Sequence, residues 1–536
     1  MLKIPALNKY QLICLTALFL VVTANLTFFE QVFELYPWQQ NAGFILSVSV
    51  LLFSLFVFLL SLFSLIIPIR WLATFCILVA TFAGYFADQF GTIINVDMIR
   101  NSIETNVAEA QDLASWGLLL RILMLGVLPV FILWRVPFRR AKWSREFSFT
   151  LLTGIAGLAV ALLCLFVSSS QYASFFREHK SVRYYTNPAY PIYSGGQYLA
   201  ALLGTTQQAE FQNLKSKAVI PESDIHRELI ILVVGETARA DHFSLNGYAR
   251  NTNPLLALED RLISYSDISA CGTSTAISVP CMFAYAGRED FNVDNAKNTE
   301  NALDMLQKSG VNILWRDNNS SSKGVADRVP FQDLRKPEVN TVCDPECRDI
   351  GMLVGLQDYI DTQAGDILII LHQMGSHGPA YYKRYPQEFE KFTPACQLSE
   401  LSECTREQII NAYDNTILYT DYFLSKVIAL LKQNTPQFET AMFYVGDHGE
   451  SLGKSGLYLH GMPYRIAPAE QIKVPVFAWA GSTSDIDFEK SLILKQAANS
   501  HDAIFDTLLA IFEVETELKT VAKTPLVYLK EDDVAR

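Results

Sequence analysis

Charged residues are scarce in the first third of this 536-residue sequence, and internal repeats and low-complexity tracts are absent. This scarcity excludes an ordinary soluble domain for that part of the chain. Five stretches are nearly free of charge: residues 11–29, 43–67, 70–87, 115–134 and 148–168. Each is long enough to cross a hydrocarbon core of about 30 Å as a helix. A signal peptide would explain only the first stretch, so we predict an all-α membrane domain with five helices over residues 1–170.

Basic residues in this region are concentrated in one loop. The connection RVPFRRAKWSRE, at residues 135–146, holds five Lys and Arg residues, whereas residues 88–114 hold five acids against Arg100. By the positive-inside rule, the basic loop at residues 135–146 is cytoplasmic and the acidic loop at residues 88–114 is external. The N-terminus is then cytoplasmic, and everything after residue 170 lies outside.

The nine cysteines agree with this topology. Three lie within the apolar stretches, where a thiol behaves as a small apolar side chain: Cys14, Cys76 and Cys164. The other six follow residue 270 as close pairs: Cys271/Cys281, Cys343/Cys347 and Cys396/Cys404. A thiolate zinc site is the alternative, but these spacings differ from those of C-x2-C fingers. Local pairing is the simplest connectivity, and an oxidising exterior favours disulfides. Cys343 and Cys347 are only four residues apart, so the sequence leaves open whether these two pair.

Residues 171–220 join the apolar region to the rest of the chain. The segment QYASFFREHKSVRYYTNPAYPIYSGGQYL combines aromatic, basic, proline and glycine residues. This mixture suits an amphipathic linker lying on the outer membrane–water boundary, and an ordinary polar linker is the alternative.

Residues 221–536 alternate between strand and helix patterns. Short, nearly continuous apolar runs occur as ELIILVVG, VNILW, DILIILH, AMFYVG and VPVFAWA. Helical patterns separate them, at residues 296–309, 408–433 and 494–512. Such runs predict an α/β domain with a mostly parallel sheet covered by helices on both sides. In such sheets, functional sites lie at the carboxyl ends of the strands.

Polar residues follow three of these runs directly. Glu236 follows the first, His372 and His377 follow the third, and Asp447 and His448 follow the fourth, with Glu450 and His460 beyond. Glu236 alone would be interpreted as a helix-capping carboxylate, and one Asp-His pair as a cap. The chain has only eight histidines, however, and four of them lie at two strand ends. Asp, Glu and His suit zinc, and three protein ligands leave a fourth position for a reactive oxygen.

The segment SACGTSTAISVPCMF, residues 269–283, supplies a candidate for that oxygen. Two cysteines enclose a run of hydroxyl residues that includes Thr275. A threonine hydroxyl is a poor nucleophile unless a base or a metal lowers its pKa. A disulfide-closed loop that holds Thr275 beside zinc would meet this requirement.

Four strings in the chain closely resemble the lipid A phosphoethanolamine transferases, which include the mobile colistin-resistance enzymes and belong to the alkaline phosphatase superfamily. The strings are VVGETARADHFSLNGY, CGTSTAISVPCMF, GSHGPAYYKRYP and GDHGESLGKSGLYLHG. The resemblance covers essentially the whole chain. It implies an alkaline phosphatase/sulfatase-like sheet sandwiched by helices. Sulfatases carry their nucleophile in a C-x-P-x-R motif, and AISVP follows Thr275 here, which argues against a sulfatase.

The resemblance also implies roles for single residues. Thr275 would be the nucleophile that is transiently modified by phosphoethanolamine, and Glu236, Thr275, Asp447 and His448 would hold the main zinc. His377 and His460 match a second cluster that binds the transferred group or a further zinc. Positions that contact phosphoethanolamine are matched by Asn319, Ser320 and Lys323.

NSIETNVAE carries a further candidate surface. Asn101, Thr105 and Glu109 share one face of a predicted helix in the external loop, near the membrane surface. The resemblance assigns matching residues to the donor's head group, so Glu109 would receive its ammonium group. A solvated helix face is the alternative interpretation.

The expected reaction transfers phosphoethanolamine from phosphatidylethanolamine to a lipid A phosphate and gives resistance to polymyxins. We expect a multi-pass protein of the bacterial inner membrane, surrounded by membrane lipids, with residues 221–536 forming a periplasmic zinc-dependent catalytic domain. We expect a monomer that does not bind nucleic acid. The alternatives are transfer to another periplasmic glycan, a membrane-anchored phosphodiesterase, and a sensor with a structural zinc.

Overall fold

The structure is a computed structural model that describes residues 6–104, 111–139, 141–204, 211–344, 346–519, 522 and 524–530. It divides into two compact units. Unit 1 comprises Met1–Ile99 and Ala114–Leu199, and unit 2 comprises Arg100–Leu113 and Ala200–Arg536.

Unit 1 is helical. Its helices are Lys9–Ala24, Leu26–Leu35, Trp38–Phe63, Ile69–Phe90, Trp116–Arg121, Leu128–Arg135, Trp143–Val167, Ser169–Glu178 and Ala189–Gly204, the last of which ends in unit 2. A π-helical turn, Ile122–Val127, makes Trp116–Arg135 continuous. Among the described residues, four helices are long and apolar enough to cross a membrane: Trp38–Phe63, Ile69–Phe90, Trp116–Arg135 and Trp143–Val167.

The first predicted span is not one straight helix. Lys9–Ala24 and Leu26–Leu35 meet at Asn25 with a bend of 64°. The Asn25 amide donates hydrogen bonds to the carbonyls of Leu20 and Asn187, and its side-chain oxygen accepts from the Asn187 amide nitrogen. A buried Asn that bonds backbone groups in this way competes with the helical ladder and breaks it. The described part of the apolar region therefore has four candidate spans, or five if the bent pair crosses as one.

Eight strands of unit 2 form one sheet within the described residues. We label them in chain order: β1 Glu228–Gly235, β2 Leu262–Ser269, β3 Asn312–Asp317, β4 Phe331–Asp333, β5 Ile367–His372, β6 Glu439–Gly446, β7 Lys473–Ala480 and β8 Asn499–Ser500. Their order across the sheet is β8-β2-β7-β6-β1-β5-β3-β4. Only β7 runs antiparallel to its two neighbours, so the sheet is mostly parallel, as predicted.

Both faces of this sheet are buried. In β1, Leu229, Ile231 and Val233 pack on one side and Ile230, Leu232 and Val234 on the other, because successive side chains of a strand point to opposite faces. The first face packs against the long helix Arg406–Asn434 and the second against Asp502–Ile511. This arrangement confirms the predicted α/β domain with helices on both sides of the sheet.

The remaining helices of unit 2 are short. They are Thr275–Met282, Gly287–Asp290, Val293–Ala296, Ala302–Lys308, Leu356–Thr362, Ala469–Ile472 and Phe488–Leu492. Three small antiparallel pairs complete the unit: Ala218–Val219 with Glu515–Thr516, Ser451–Leu452 with Tyr458–Leu459, and Cys343–Asp344 with Glu346–Cys347. The predicted disulfides Cys271–Cys281 and Cys396–Cys404 are present, and Cys343 and Cys347, whose pairing the sequence leaves open, form a third.

Residues 100–113 belong to unit 2, although unit 1 precedes and follows them in sequence. The helix Val96–Glu104 ends in this segment, where the Arg100 guanidinium lies 2.5 Å from Asp294 Oδ1. Asp112 is buried and pairs with Lys383 at 2.5 Å and with Arg384 at 2.6 Å. Burial alone would raise the pKa of Asp112, but these two cations outweigh it and lower that pKa.

Candidate active site

Three titratable side chains meet where β1 and β6 end. Glu236 follows β1, and Asp447 and His448 follow β6; the last residues of these two parallel strands, Gly235 and Gly446, are paired in register. The three side chains are buried, and one ligand atom of each lies within 4.8 Å of the others. His448 Nε2 is 3.5 Å from Glu236 Oε1 and 3.4 Å from Asp447 Oδ2. Parallel pairing of two strands thus assembles a triad from distant parts of the sequence.

Backbone groups orient two members of the triad. Asp447 Oδ1 accepts hydrogen bonds from the Thr237 amide at 2.9 Å and the His448 amide at 2.7 Å. The Nδ1–H of His448 donates to the Gly449 carbonyl at 3.0 Å, which leaves the Nε2 lone pair facing the carboxylates. Burial and, after it, the neighbouring His460 lower the pKa of His448 to about 3, so the imidazole is neutral at pH 7.

This set of residues fits a divalent cation. Asp447 Oδ2 is buried without a hydrogen-bond partner among the described residues, and burial together with the Glu236 charge raises the pKa of Asp447. Two carboxylates buried side by side cost free energy unless a positive charge compensates them. Two carboxylate oxygens and a neutral imidazole nitrogen are ligands that zinc accepts.

Thr275 lies directly beside the triad. It is the first residue of helix Thr275–Met282, and its Oγ1 is 3.0 Å from Glu236 Oε2 and 3.3 Å from His448 Nε2. The Cys271–Cys281 disulfide closes the surrounding loop, and Ser278 Oγ donates to the Asp447 carbonyl. The nucleophile predicted from the sequence and the three predicted ligands are therefore brought together.

Two further histidines extend the site. The ring centroid of His460 lies 4.3 Å from that of His448 and 5.8 Å from that of His377. His460 Nδ1 lies 2.9 Å from Glu450 Oε2, and the Tyr381 hydroxyl donates to Glu450 Oε1 at 2.6 Å. A proton on Nδ1 that is shared with Glu450 leaves His460 Nε2 able to accept or release a proton.

Two family models match the chain: "Phosphoethanolamine transferase EptA/EptB" over residues 52–203 and "Sulfatase" over residues 228–514. Phosphatidylethanolamine transferase Mcr-2 of Escherichia coli is 44% identical over 521 residues, which cover 95% of this chain and 96% of Mcr-2. Mcr-1 of the same organism is 42% identical over 528 residues, or 96% of each chain.

The chain belongs to the phosphoethanolamine transferase family.

A solved structure supports the same assignment over both units. The integral membrane protein lipooligosaccharide phosphoethanolamine transferase A (EptA) from Neisseria meningitidis is similar with a TM-score of 0.90 and 34% identity, covering 95% of this chain and 97% of that one. The periplasmic domain of EptC from Campylobacter jejuni matches with a TM-score of 0.51 and 42% identity, covering 57% of this chain and 94% of that domain.

In this phosphoethanolamine transferase, Asn319 contacts a member of the triad. Its side-chain amide donates to Glu236 Oε2 and to the Gln373 carbonyl, both at 2.8 Å. The resemblance assigns Asn319 to the transferred group, and in the structure its amide also holds Glu236 in place. Ser320, also predicted, is linked to Asn319 by its backbone amide, which donates to Asn319 Oδ1 at 2.5 Å.

Lys323 lies next to the end of helix Val96–Glu104 in the transferase. The Lys323 ammonium group donates to the Glu104 carbonyl at 3.4 Å. Asn101 lies three residues before Glu104 and therefore on the same face of helix Val96–Glu104. Thr105 and Glu109 lie outside the described residues, so the predicted donor surface is only partly described.

Sequence reasoning missed several residues that support the transferase site. Glu450 follows Asp447 by three residues in the sequence, and no pattern there indicates that it binds His460. Gly375 packs against Glu236 with φ +53°, and a Cβ atom there would lie 2.8 Å from the Glu236 carbonyl oxygen. A glycine in the loop after a strand can indicate that another part of the backbone approaches closely, although it does not show which residue does so. Tyr381 carried no signal of its own.

Proposed function

We propose that this protein transfers phosphoethanolamine from phosphatidylethanolamine to a lipid A phosphate through a covalent intermediate on Thr275. The observation that carries the proposal is the position of the Thr275 hydroxyl, 3.0 Å from Glu236 and 3.3 Å from His448 in a buried site. The relatives support these substrates: Mcr-1 and Mcr-2 are phosphatidylethanolamine transferases, and the Neisseria protein is a lipooligosaccharide phosphoethanolamine transferase.

Zinc is the metal that this site would take. Glu236, Asp447 and His448 would hold it, with the Thr275 hydroxyl beside them. When bound, zinc lowers the pKa of an adjacent hydroxyl and stabilises negative charge on phosphoryl oxygens.

In the first half-reaction, Thr275 Oγ1 loses its proton along its hydrogen bond to Glu236 Oε2 and bonds to the phosphorus of the donor. The phosphorus–oxygen bond to diacylglycerol breaks. His377 or His460 protonates the departing oxygen, and the carboxylate of Glu450 orients the His460 ring. Thr275 is the first residue of its helix, so the backbone amides of Thr275 and Ala276 would stabilise charge on the phosphoryl oxygens. Lys323 is proposed to add to this stabilisation.

The second half-reaction reverses these roles. An oxygen of the lipid A phosphate attacks the same phosphorus, and the bond to Thr275 breaks. The histidine that gave its proton to diacylglycerol can now accept one from the lipid A phosphate. The added ammonium group offsets phosphate charge, which weakens the binding of cationic peptides such as polymyxins.

The proposal includes a location and a division of the chain. Residues 1–170 would form the inner-membrane domain, 171–220 the interfacial linker and 221–536 the periplasmic catalytic domain of a monomer. The candidate spans, the cytoplasmic basic loop and the disulfides after residue 270 support this arrangement. The head group of the donor is proposed to bind Asn101, Thr105 and Glu109, and the transferred phosphoethanolamine to contact Asn319 and Ser320.

Mass spectrometry of lipid A from cells that express the protein tests this function. The wild type is expected to add phosphoethanolamine to lipid A, and Thr275→Ala is expected to add none at equal membrane abundance. Incubation of the purified protein with donor alone should add one phosphoethanolamine to the peptide that contains Thr275.

Thr273→Ala is the matched control, because Thr273 lies in the same disulfide-closed loop but its hydroxyl donates to the Met462 carbonyl instead. It should retain both the lipid A product and the labelled peptide. Labelling of the Thr275→Ala variant would show that another hydroxyl reacts. Unmodified lipid A with release of free phosphoethanolamine would instead indicate a phosphodiesterase, and a modified glycan would indicate a different acceptor.

A further inference from the structure

Five carboxylates meet at the amino edge of the sheet, opposite the edge that holds the candidate active site. Glu228 and Glu439 are the first residues of β1 and β6 and are paired in register, and Asp366 immediately precedes β5. Asp224 lies before β1. Asp485 lies in the loop after β7, and the antiparallel direction of β7 brings that loop to this edge. We call these five residues the amino-edge cluster.

The cluster consists of two triads that share Glu228. Oxygens of Asp224, Glu228 and Asp366 lie within 4.8 Å of one another, and the same holds for Glu228, Glu439 and Asp485. Glu228 is only 3% exposed, and neither of its carboxylate oxygens has a hydrogen-bond donor among the described residues. Glu439 Oε2 is also buried without a donor. The central carboxylate of the cluster is therefore surrounded by other carboxylates.

The described cationic side chains near Glu228 do not form hydrogen bonds to its carboxylate. The Arg227 guanidinium donates to two backbone carbonyls at 2.9 and 3.0 Å, and the Lys530 ammonium group donates to the Ser484 carbonyl at 2.6 Å. His226 Nδ1 is 3.4 Å from Glu439 Oε1, but the His226 ring is mostly exposed. A buried carboxylate without a donor or counter-charge costs free energy that a bound cation would offset.

We infer that the amino-edge cluster is a calcium site. Calcium takes six to eight oxygen ligands in flexible geometries, which suits several carboxylates contributed by different loops. Magnesium demands a near-ideal octahedron and zinc favours nitrogen and sulfur, so both match this all-carboxylate set less well. The ion would join the starts of β1, β5 and β6 to the loop after β7. It would stabilise unit 2 independently of the transfer reaction at the other edge.

Calcium titration of the purified full-length protein in detergent tests this inference. The experiment is done in zinc-containing buffer without chelator, and thermal unfolding and bound ⁴⁵Ca²⁺ are both measured. We expect one tightly bound calcium per chain and a Tm rise of about 4 °C at a calcium concentration 100 times the dissociation constant. Glu228→Gln and Asp485→Asn should each weaken calcium binding at least tenfold. The second variant lies at the rim of the cluster and is the one expected to fold normally.

Two controls separate the calcium site from the active site. Glu338→Gln removes an exposed carboxylate elsewhere in unit 2 and should bind calcium like the wild type. Asp447→Ala should also bind calcium normally even though its transfer activity is lost. The inference is overturned if calcium neither binds nor raises the Tm of the wild type, or if Asp485→Asn binds it equally well. A proton, and not calcium, would neutralise the cluster if Glu228→Gln has a higher Tm than the wild type without calcium and its Tm no longer depends on pH.

Discussion

Replacement of Asn319 by alanine should weaken zinc binding without removing a ligand. The Asn319 amide donates to Glu236 Oε2 at 2.8 Å and to the Gln373 carbonyl at 2.8 Å, so it fixes the Glu236 carboxylate relative to the end of β5. A hydrogen bond to a charged group contributes about 1.5–3 kcal/mol. Since about 1.4 kcal/mol corresponds to a factor of ten, the zinc dissociation constant should rise by about 10- to 100-fold. Loss of residues that orient metal ligands has effects of the same size.

The measurement is a competition titration of zinc between the purified full-length protein and a chromophoric chelator. Asn318→Ala is the matched control. Asn318 is the preceding residue, is equally buried, and donates two hydrogen bonds of its own, to the Cys347 carbonyl at 2.9 Å and to Asp349 Oδ1 at 2.8 Å. Asn318→Ala should lower the free energy of unfolding about as much as Asn319→Ala does. It should change the zinc dissociation constant by less than about threefold.

Two results would refute this reasoning. A zinc dissociation constant of Asn319→Ala within about twofold of the wild-type value would mean that Glu236 needs no help from the amide. An equal loss of affinity in Asn318→Ala would mean that general loosening of the loop, rather than the bond to Glu236, accounts for the effect.

Two further predictions concern the loop and the histidines. Replacing both Cys271 and Cys281 by serine opens a loop of ten residues and should lower the free energy of unfolding by about 3 kcal/mol, measured by denaturant titration under oxidising conditions; an unchanged midpoint would contradict it. Glu450→Gln keeps the shape of the side chain but cannot stabilise a charged His460. It should lower kcat by about tenfold and shift the pH–rate profile while KM stays constant; a change in KM alone would show that Glu450 contributes only to substrate binding.

The sheet and the triad could be predicted from the sequence because one rule connects them. Short apolar runs buried on both faces indicate parallel strands, and parallel strands bring their carboxyl ends to one edge. Residues that directly follow ELIILVVG and AMFYVG must therefore be neighbours, which is where Glu236, Asp447 and His448 are found. The antiparallel direction of β7 was not predictable, since VPVFAWA is apolar whichever way it runs.

The rest of the site depends on contacts that leave no local pattern. Tyr381 and Glu450 are 69 residues apart, and nothing in either neighbourhood indicates that they bond. The bend at Asn25 likewise requires Asn187, 162 residues away, to complete its hydrogen bonds. The amino-edge cluster is an intermediate case. The acids at the starts of ELIILVVG and DILIILH were visible, but their convergence with Asp485 required the strand order.

Residues 100–113 make the catalytic unit a discontinuous part of the chain. The backbone passes between the two units three times, at 99/100, 113/114 and 199/200. A gene fusion or natural recombination event with a single junction near residue 200 would therefore not exchange a whole unit. It would place the Arg384 of one protein against a segment from another and put its pairing with Asp112 at risk. Chimaeras within this family should keep residues 100–113 and the domain after residue 200 from the same parent.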